Sequence, residues 1–83
     1  MEIMRDITKF SSGIRSMIVL EVVDQDILSN LADDKDMDVR IAVAKNRNTS
    51  THTLFKLRSD KEWYVRNEAK KNLMRRGWSI GET

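Results

Sequence analysis

Apolar positions in this chain recur at intervals of three and four residues, with no sustained alternation at intervals of two. Ile3, Ile7 and Phe10 share one helical face near the start. Ile27, Leu28 and Leu31 repeat that spacing, as do Val39, Ala42, Val43 and Asn46, then Leu54 and Leu57, then Val65, Ala69 and Leu73. Each set forms the stripe by which a helix buries one side. There is no proline, and the three glycines are Gly13, Gly77 and Gly81. Only short clusters of Asp, Asn, Ser and Thr interrupt residues 14–76. The pattern predicts an all-α fold of five or six short helices joined by tight, capped turns.

The polar clusters suggest where helices start and stop. Asp24 is placed to cap a helix carrying Ile27, Leu28 and Leu31, because its carboxylate can accept from the otherwise orphaned N–H groups of a first turn. Asp33-Asp34-Lys35-Asp36 reads as a polar turn before a second helix, and Asn48-Thr49-Ser50 as the turn and cap before a third. Ser59 and Glu62 have the spacing of a capping box for the last helix. Gly77 is placed to end that helix in a left-handed conformation, with Trp78 expected to fold back on Leu73 or Met74. The first segment is expected to be a capping helix that ends before Ser11-Ser12-Gly13.

An internal repeat runs through these elements. Leu28-Ser29-Asn30-Leu31 superposes on Leu54-Phe55-Lys56-Leu57 at an offset of 26 residues. The same offset pairs Asp34 with Asp60, Asp36 with Glu62, Val39 with Val65, Arg40 with Arg66 and Asn46 with Asn72. Ile14-Arg15 stands where the two Val-Arg pairs stand and marks a degenerate earlier copy. A unit that cannot bury its own apolar face does so by stacking on its neighbours. The chain therefore reads as a single domain: a cap over 1–12, a degenerate repeat over 14–38, a repeat over 39–64, a last helix over 65–76 and a tail over 77–83.

The spacing in Asp34…Val39-Arg40 and Asp60…Val65-Arg66 resembles the turn and second helix of HEAT-type repeats. The longer string from Leu28 through Asp34, Asp36, Val39-Arg40, Ala42-Val43-Ala44, Asn46 and Asn48-Thr49-Ser50 is closer to the leucine-rich repeat variant. The resemblance covers 14–76, most closely from Leu28 to Asn72, and implies helix pairs stacked in a right-handed solenoid. Two features depart from the family: Arg47 and Ser50 occupy the positions of its usual turn prolines, and the number of units is small. The resemblance also implies that Arg40 and Arg66 bond to the turn residues Asp34 and Asp60, in their own or a neighbouring unit, as a structural ladder. The competing reading of the two arginines as anion contacts ranks below that one.

Composition narrows the function. The chain has 83 residues, 40% hydrophobic and 34% charged, enough for one modest core but not for a deep substrate cavity. There is no cysteine, so disulfides and thiolate metal sites are excluded. The most apolar stretch, 17–23, is too short to span a bilayer and contains Glu21. These features lead us to expect a cytoplasmic protein with no membrane partner. The net charge of +2 conceals two unlike halves: residues 1–38 hold four cations against nine acids, and residues 39–83 hold eleven against four. A molecule so divided can steer a charged partner, or pair with a second copy head to tail.

The candidate contact set lies in the basic half: Lys56, Arg58, Lys70, Lys71, Arg75 and Arg76, with Lys61 and Arg66 nearby. Arg66 and Lys70 are four residues apart, as are Lys71 and Arg75, which sets two ridges of positive charge side by side on the last helix. Such ridges suit an acidic protein surface or a phosphate backbone. They also complement the helix dipole and aid solubility, which alone is enough to account for many basic helix ends. Trp63 and Tyr64 open the same helix. One is expected in the core and the other at the surface, where it would serve as a binding anchor. Trp78 and Ile80 offer a second, smaller apolar patch.

Catalytic and metal chemistry find little support. His52 is the single histidine, and no acid is spaced to orient it toward Ser50 or Thr53. The acidic turn over 33–38 lacks the central Gly and terminal Glu of a calcium loop. No Gly-rich phosphate loop is present, and no cofactor is implied. HEAT-like DNA glycosylases handle DNA on related architecture, but they are much larger, and no matching catalytic residues occur in this chain. The expectation is a non-enzymatic binding module, with a protein partner favoured over nucleic acid and self-association as a further possibility.

Overall fold

Side-chain caps start most of the helices, and they do so at residues that local chemistry marks out. In a computed structural model describing residues 10–79, five helices occupy the described chain: α1 (Ser12–Val19), α2 (Gln25–Leu31), α3 (Met37–Lys45), α4 (Thr51–Leu57) and α5 (Trp63–Arg75). No strand occurs among the described residues. The expected capping helix through Ile3 and Ile7 lies outside them, as does Ile80. Ser11 Oγ accepts from the Ile14 N–H at the head of α1. Asp24 accepts from Asp26 and Ile27 at 2.9 and 3.1 Å, Asp36 from Asp38 at 2.8 Å, and Ser50 from Thr53 at 3.1 Å. The repeat boundaries read at 38/39 and 64/65 fall inside the first turns of α3 and α5.

The head of α5 departs from expectation. Its N-cap is Glu62, whose side chain makes no capping bond, and Ser59 lies before the turn. Asp60 instead accepts the Glu62 N–H at 2.9 Å, just as Asp34 accepts that of Asp36 at 2.8 Å. An Asp two residues before the cap folds the backbone into its own turn, and this displaces the capping box. Glu62 occupies the position of Asp36 but carries an extra methylene, and longer side chains cap poorly. The helix stop follows prediction more closely. Gly77 adopts φ +95°, and the N–H groups of Gly77 and Trp78 reach Met74 O and Leu73 O at 3.0 and 3.1 Å. The Trp78 ring meets the Phe55 ring of α4 edge-on, with centroids 5.1 Å apart.

Helix α3 is central, packing on α1 to one side and on α5 to the other, while α4 lies against α5. Between them Val19, Leu28, Val39, Val43, Leu54, Leu57, Val65 and Leu73 are almost wholly buried. Each contributes about 1.5–3 kcal/mol by leaving water. Ile14, which aligns in sequence with the fully buried Val39 and Val65, is by contrast 47% exposed.

Polar groups tie the units together. Asn46, almost wholly buried, donates from Nδ2 to Val19 O and Val22 O at 2.6 and 2.7 Å. Asn72 repeats the arrangement one unit later, donating to Ala44 O and Asn46 O at 2.9 and 3.0 Å. Each asparagine thus satisfies carbonyls at or just past the end of the helix two elements earlier, α1 for Asn46 and α3 for Asn72, where the helix supplies no donor of its own. The turn between α3 and α4 is held by side chains. Asn46 Oδ1 accepts the Asn48 N–H, Thr49 Oγ1 donates to Val43 O, and Gln25 donates to Asn48 O while accepting the Ser50 N–H.

Candidate functional site

Three arginines at equivalent places build one ladder. Each sits in the first turns of a helix, and each donates from Nη1 to the backbone carbonyl of the turn before it: Arg15 to Phe10 at 2.7 Å, Arg40 to Asp34 at 2.8 Å and Arg66 to Asp60 at 2.8 Å. The remaining nitrogens cross to the following unit. Arg15 Nη2 reaches Asp34 Oδ1 at 3.1 Å. Arg40 Nε and Nη2 take both oxygens of Asp60 at 2.8 and 3.2 Å. The pairs therefore run between units, and Arg40 holds the carboxylate of Asp60, not that of Asp34. Among the described residues Arg66 meets only the backbone of Asp60. Both carboxylates also accept a turn N–H, so the Asp side chains at 9% exposure and their arginine partners at 6–10% are served by several bonds each. A shallow cleft over this ladder is lined by Asp34, Lys35, Arg40, Asp60 and Lys61.

The basic set divides on inspection. Arg76 is part of the fold: its Nη2 donates to Arg47 O at 2.8 Å and its Nη1 approaches Thr51 Oγ1 at 3.5 Å. Desolvation by burial, and then the neighbouring Arg75, lower its pKa. Lys56 pairs with Asp33 at 2.8 Å, an exposed contact between units. Arg58 lies over the Phe55 ring, 5.9 Å from its centroid. Lys71 approaches Glu68 at 3.5 Å.

Lys70 and Arg75 remain, with Arg66, and helical spacing arranges them. Trp63, Arg66, Lys70 and Met74 form one ridge of α5, flanking the buried stripe of Val65, Ala69 and Leu73. Tyr64, Glu68, Lys71 and Arg75 form the adjacent ridge. Trp63 and Tyr64 head the two ridges with rings edge to face, centroids 5.0 Å apart. Neither enters the core: they are 58% and 60% exposed. The expectation that one of them would be buried is overturned, because the helix turns both away from the positions of Val65 and Ala69. Met74, 57% exposed, adds an apolar foot to the first ridge. Sequence reasoning passed over it, although its spacing from Trp63 and Lys70 was the available signal.

No family model matches the chain, and comparisons with curated proteins and with solved structures return no match. The functional reading therefore rests on geometry. Among the described residues no cluster of His, Cys, Asp or Glu can hold a metal ion, and no helix is long and apolar enough to cross a membrane. His52 is exposed in the first turn of α4. A second surface lies on the other flank, where Ile14, Met17, Leu20 and Val23 on and just after α1 are all at least 46% exposed. A shallow groove beside it is lined by Ser16, Leu20, Ile41 and Lys45.

Proposed function

We propose that this protein is a short right-handed helical-repeat stack of the HEAT-like kind, working as a non-enzymatic binding module whose α5 outer face takes an acidic surface of a protein partner. The observation that carries this is the exposed Trp63–Tyr64 pair at the head of two ridges bearing Arg66, Lys70, Lys71 and Arg75. Exposed aromatics beside arginine and lysine are the composition of binding hot spots, since they combine large contact area with directed charge. Tracking a phosphate backbone requires a row of free cations. Here Arg76 is used within the fold, Lys56 is paired with Asp33, and Glu68 interrupts the second ridge beside Lys71. The charge that remains is discrete, and this favours a protein surface with a few placed acids over a nucleic acid.

Fluorescence anisotropy tests the choice. Labelled single- and double-stranded DNA and RNA are titrated beside a labelled acidic peptide, at two salt concentrations, with a Lys70→Glu/Lys71→Glu/Arg75→Glu variant as control. Peptide binding that the variant abolishes supports the proposal. Nucleic-acid binding that is tighter than peptide binding, and lost in the same variant, transfers the site to phosphate recognition. Binding to neither at low salt removes the α5 face as a contact surface.

A further inference from the structure

The ladder has a fixed rule, and among the described residues its last rung holds no carboxylate. Each arginine spends Nη1 on the turn carbonyl of its own unit. The other nitrogens then face the next unit's turn aspartate, through Nη2 in Arg15 and through the Nε–Nη2 fork in Arg40. Arg66 has its Nη1 bond to Asp60 O, so its guanidinium is already oriented by the same anchor. Among the described residues no carboxylate meets its Nε or Nη2. Arg40 is 5% exposed, whereas Arg66 is only partly buried. Its guanidinium is anchored by the Asp60 carbonyl on a side chain that the fold leaves partly exposed.

The neighbouring position indicates what can approach. Ala44 is fully buried where α5 lies over α3, and the residue 26 positions later on α5 is Lys70. A close-packed neutral helix would have to bury that ammonium, which is costly unless an acid meets it. A second copy of this chain does not supply the ladder's acid at its opposite end, because Phe10 stands where the later units carry Asp34 and Asp60.

We propose that Arg66 is the specificity residue of the α5 face, taking the carboxylate of an interhelical aspartate turn on a different helical protein, with Lys70 meeting a second acid of that turn. This rests on the reading of α5 as a docking face for acidic protein. The recognised chemistry is that of the chain's own Asp34 turn, in which the aspartate's Oδ1 accepts both the Asp36 N–H of its own turn and Nη2 of Arg15. A planar guanidinium bound through two parallel N–H groups discriminates geometry as well as charge, which a lysine cannot do.

The probe is a synthetic peptide copying residues 28–39, which holds four aspartates and one lysine. Two further peptides accompany it: one with Asp34→Asn, and one of the same composition scrambled. Full-length protein labelled with ¹⁵N reports the Arg66 Nε–H resonance, and the indole Nε1–H resonance of Trp63 in the same sample reports occupancy of the face. The expected result is that the native peptide moves the Arg66 resonance. Asp34→Asn in the peptide, or Arg66→Lys in the protein, then weakens binding about tenfold or more, the scale of a lost charge-assisted hydrogen bond. Arg66→Lys keeps the charge, and its thermal melt is recorded to confirm an intact fold. Scrambled and native peptides binding equally, with the Arg66 resonance still, would overturn the ladder proposal and leave the acidic-surface reading standing. No response to any of the three peptides at low salt would overturn both.

Discussion

Arg40 grips both carboxylate oxygens of Asp60, twenty residues further along the chain, while its third nitrogen holds the backbone carbonyl of Asp34. One side chain thus fastens the turn before α3 to the turn before α5. Arg15 does the same for the preceding pair through a single bond, and its buried Nε finds no partner.

Breaking the Arg40–Asp60 rung from one side strands a charge with its partner at 6–9% exposure. Arg40→Met or Asp60→Asn alone is expected to cost about 3 kcal/mol, a large share of the ~5–15 kcal/mol typical of a small domain. The double change Arg40→Met/Asp60→Leu is expected to recover most of that loss. Urea unfolding followed by circular dichroism measures all three, and an Asp60→Asn variant as stable as the parent would show that the rung carries no stability.

Asn72 donates to two carbonyls of the preceding unit. Asn72→Ala leaves both without that donor in a buried place and is expected to destabilise by about 2 kcal/mol. Hydrogen exchange of the amides at the end of α3 should rise alongside. Unchanged exchange there would mean that water replaces the amide group.

Glu62 caps α5 without a side-chain bond, where Asp36 caps α3 with one. Glu62→Asp shortens the side chain to match and is expected to add about 0.5–1 kcal/mol. A raised melting temperature is the readout; a fall would indicate that Glu62 serves some contact beyond the cap.

Trp63→Ala and Tyr64→Ala remove exposed rings that touch each other and not the core. Their melting temperatures are expected to stay within a degree or two of the parent, because surface changes of this kind cost about 0.5 kcal/mol or less. Affinity for the acidic partner should fall at least about tenfold, as when an aromatic anchor is truncated. A loss of stability in place of a loss of binding would reassign the pair to a structural role.

Much of the local structure could be read from residue order. The Asp24 and Ser50 caps and the Gly77 stop lie within a few residues of the groups they serve. The helical stripe Val65, Ala69 and Leu73 is buried as its spacing required. The resemblance to helical repeats implied a ladder of Arg40 and Arg66 on Asp34 and Asp60, without saying which aspartate each arginine takes. Ser59 and Glu62 misled because their spacing satisfies two local schemes. The Asp60 turn is the competing one, and it occupies the Glu62 N–H.

Residue order alone thus determined the all-helical class, the start and stop of most helices, and the charge division between the halves, all set by interactions spanning one helical turn or by composition. Tertiary structure decided which aspartate each arginine holds, which cations are consumed by the fold, that Trp63 and Tyr64 both face outward, and that the fork of Arg66 lacks a carboxylate among the described residues. Those outcomes join groups some twenty to thirty residues apart. They depend on how one unit's turn is set against the next, a relation that local propensity does not encode.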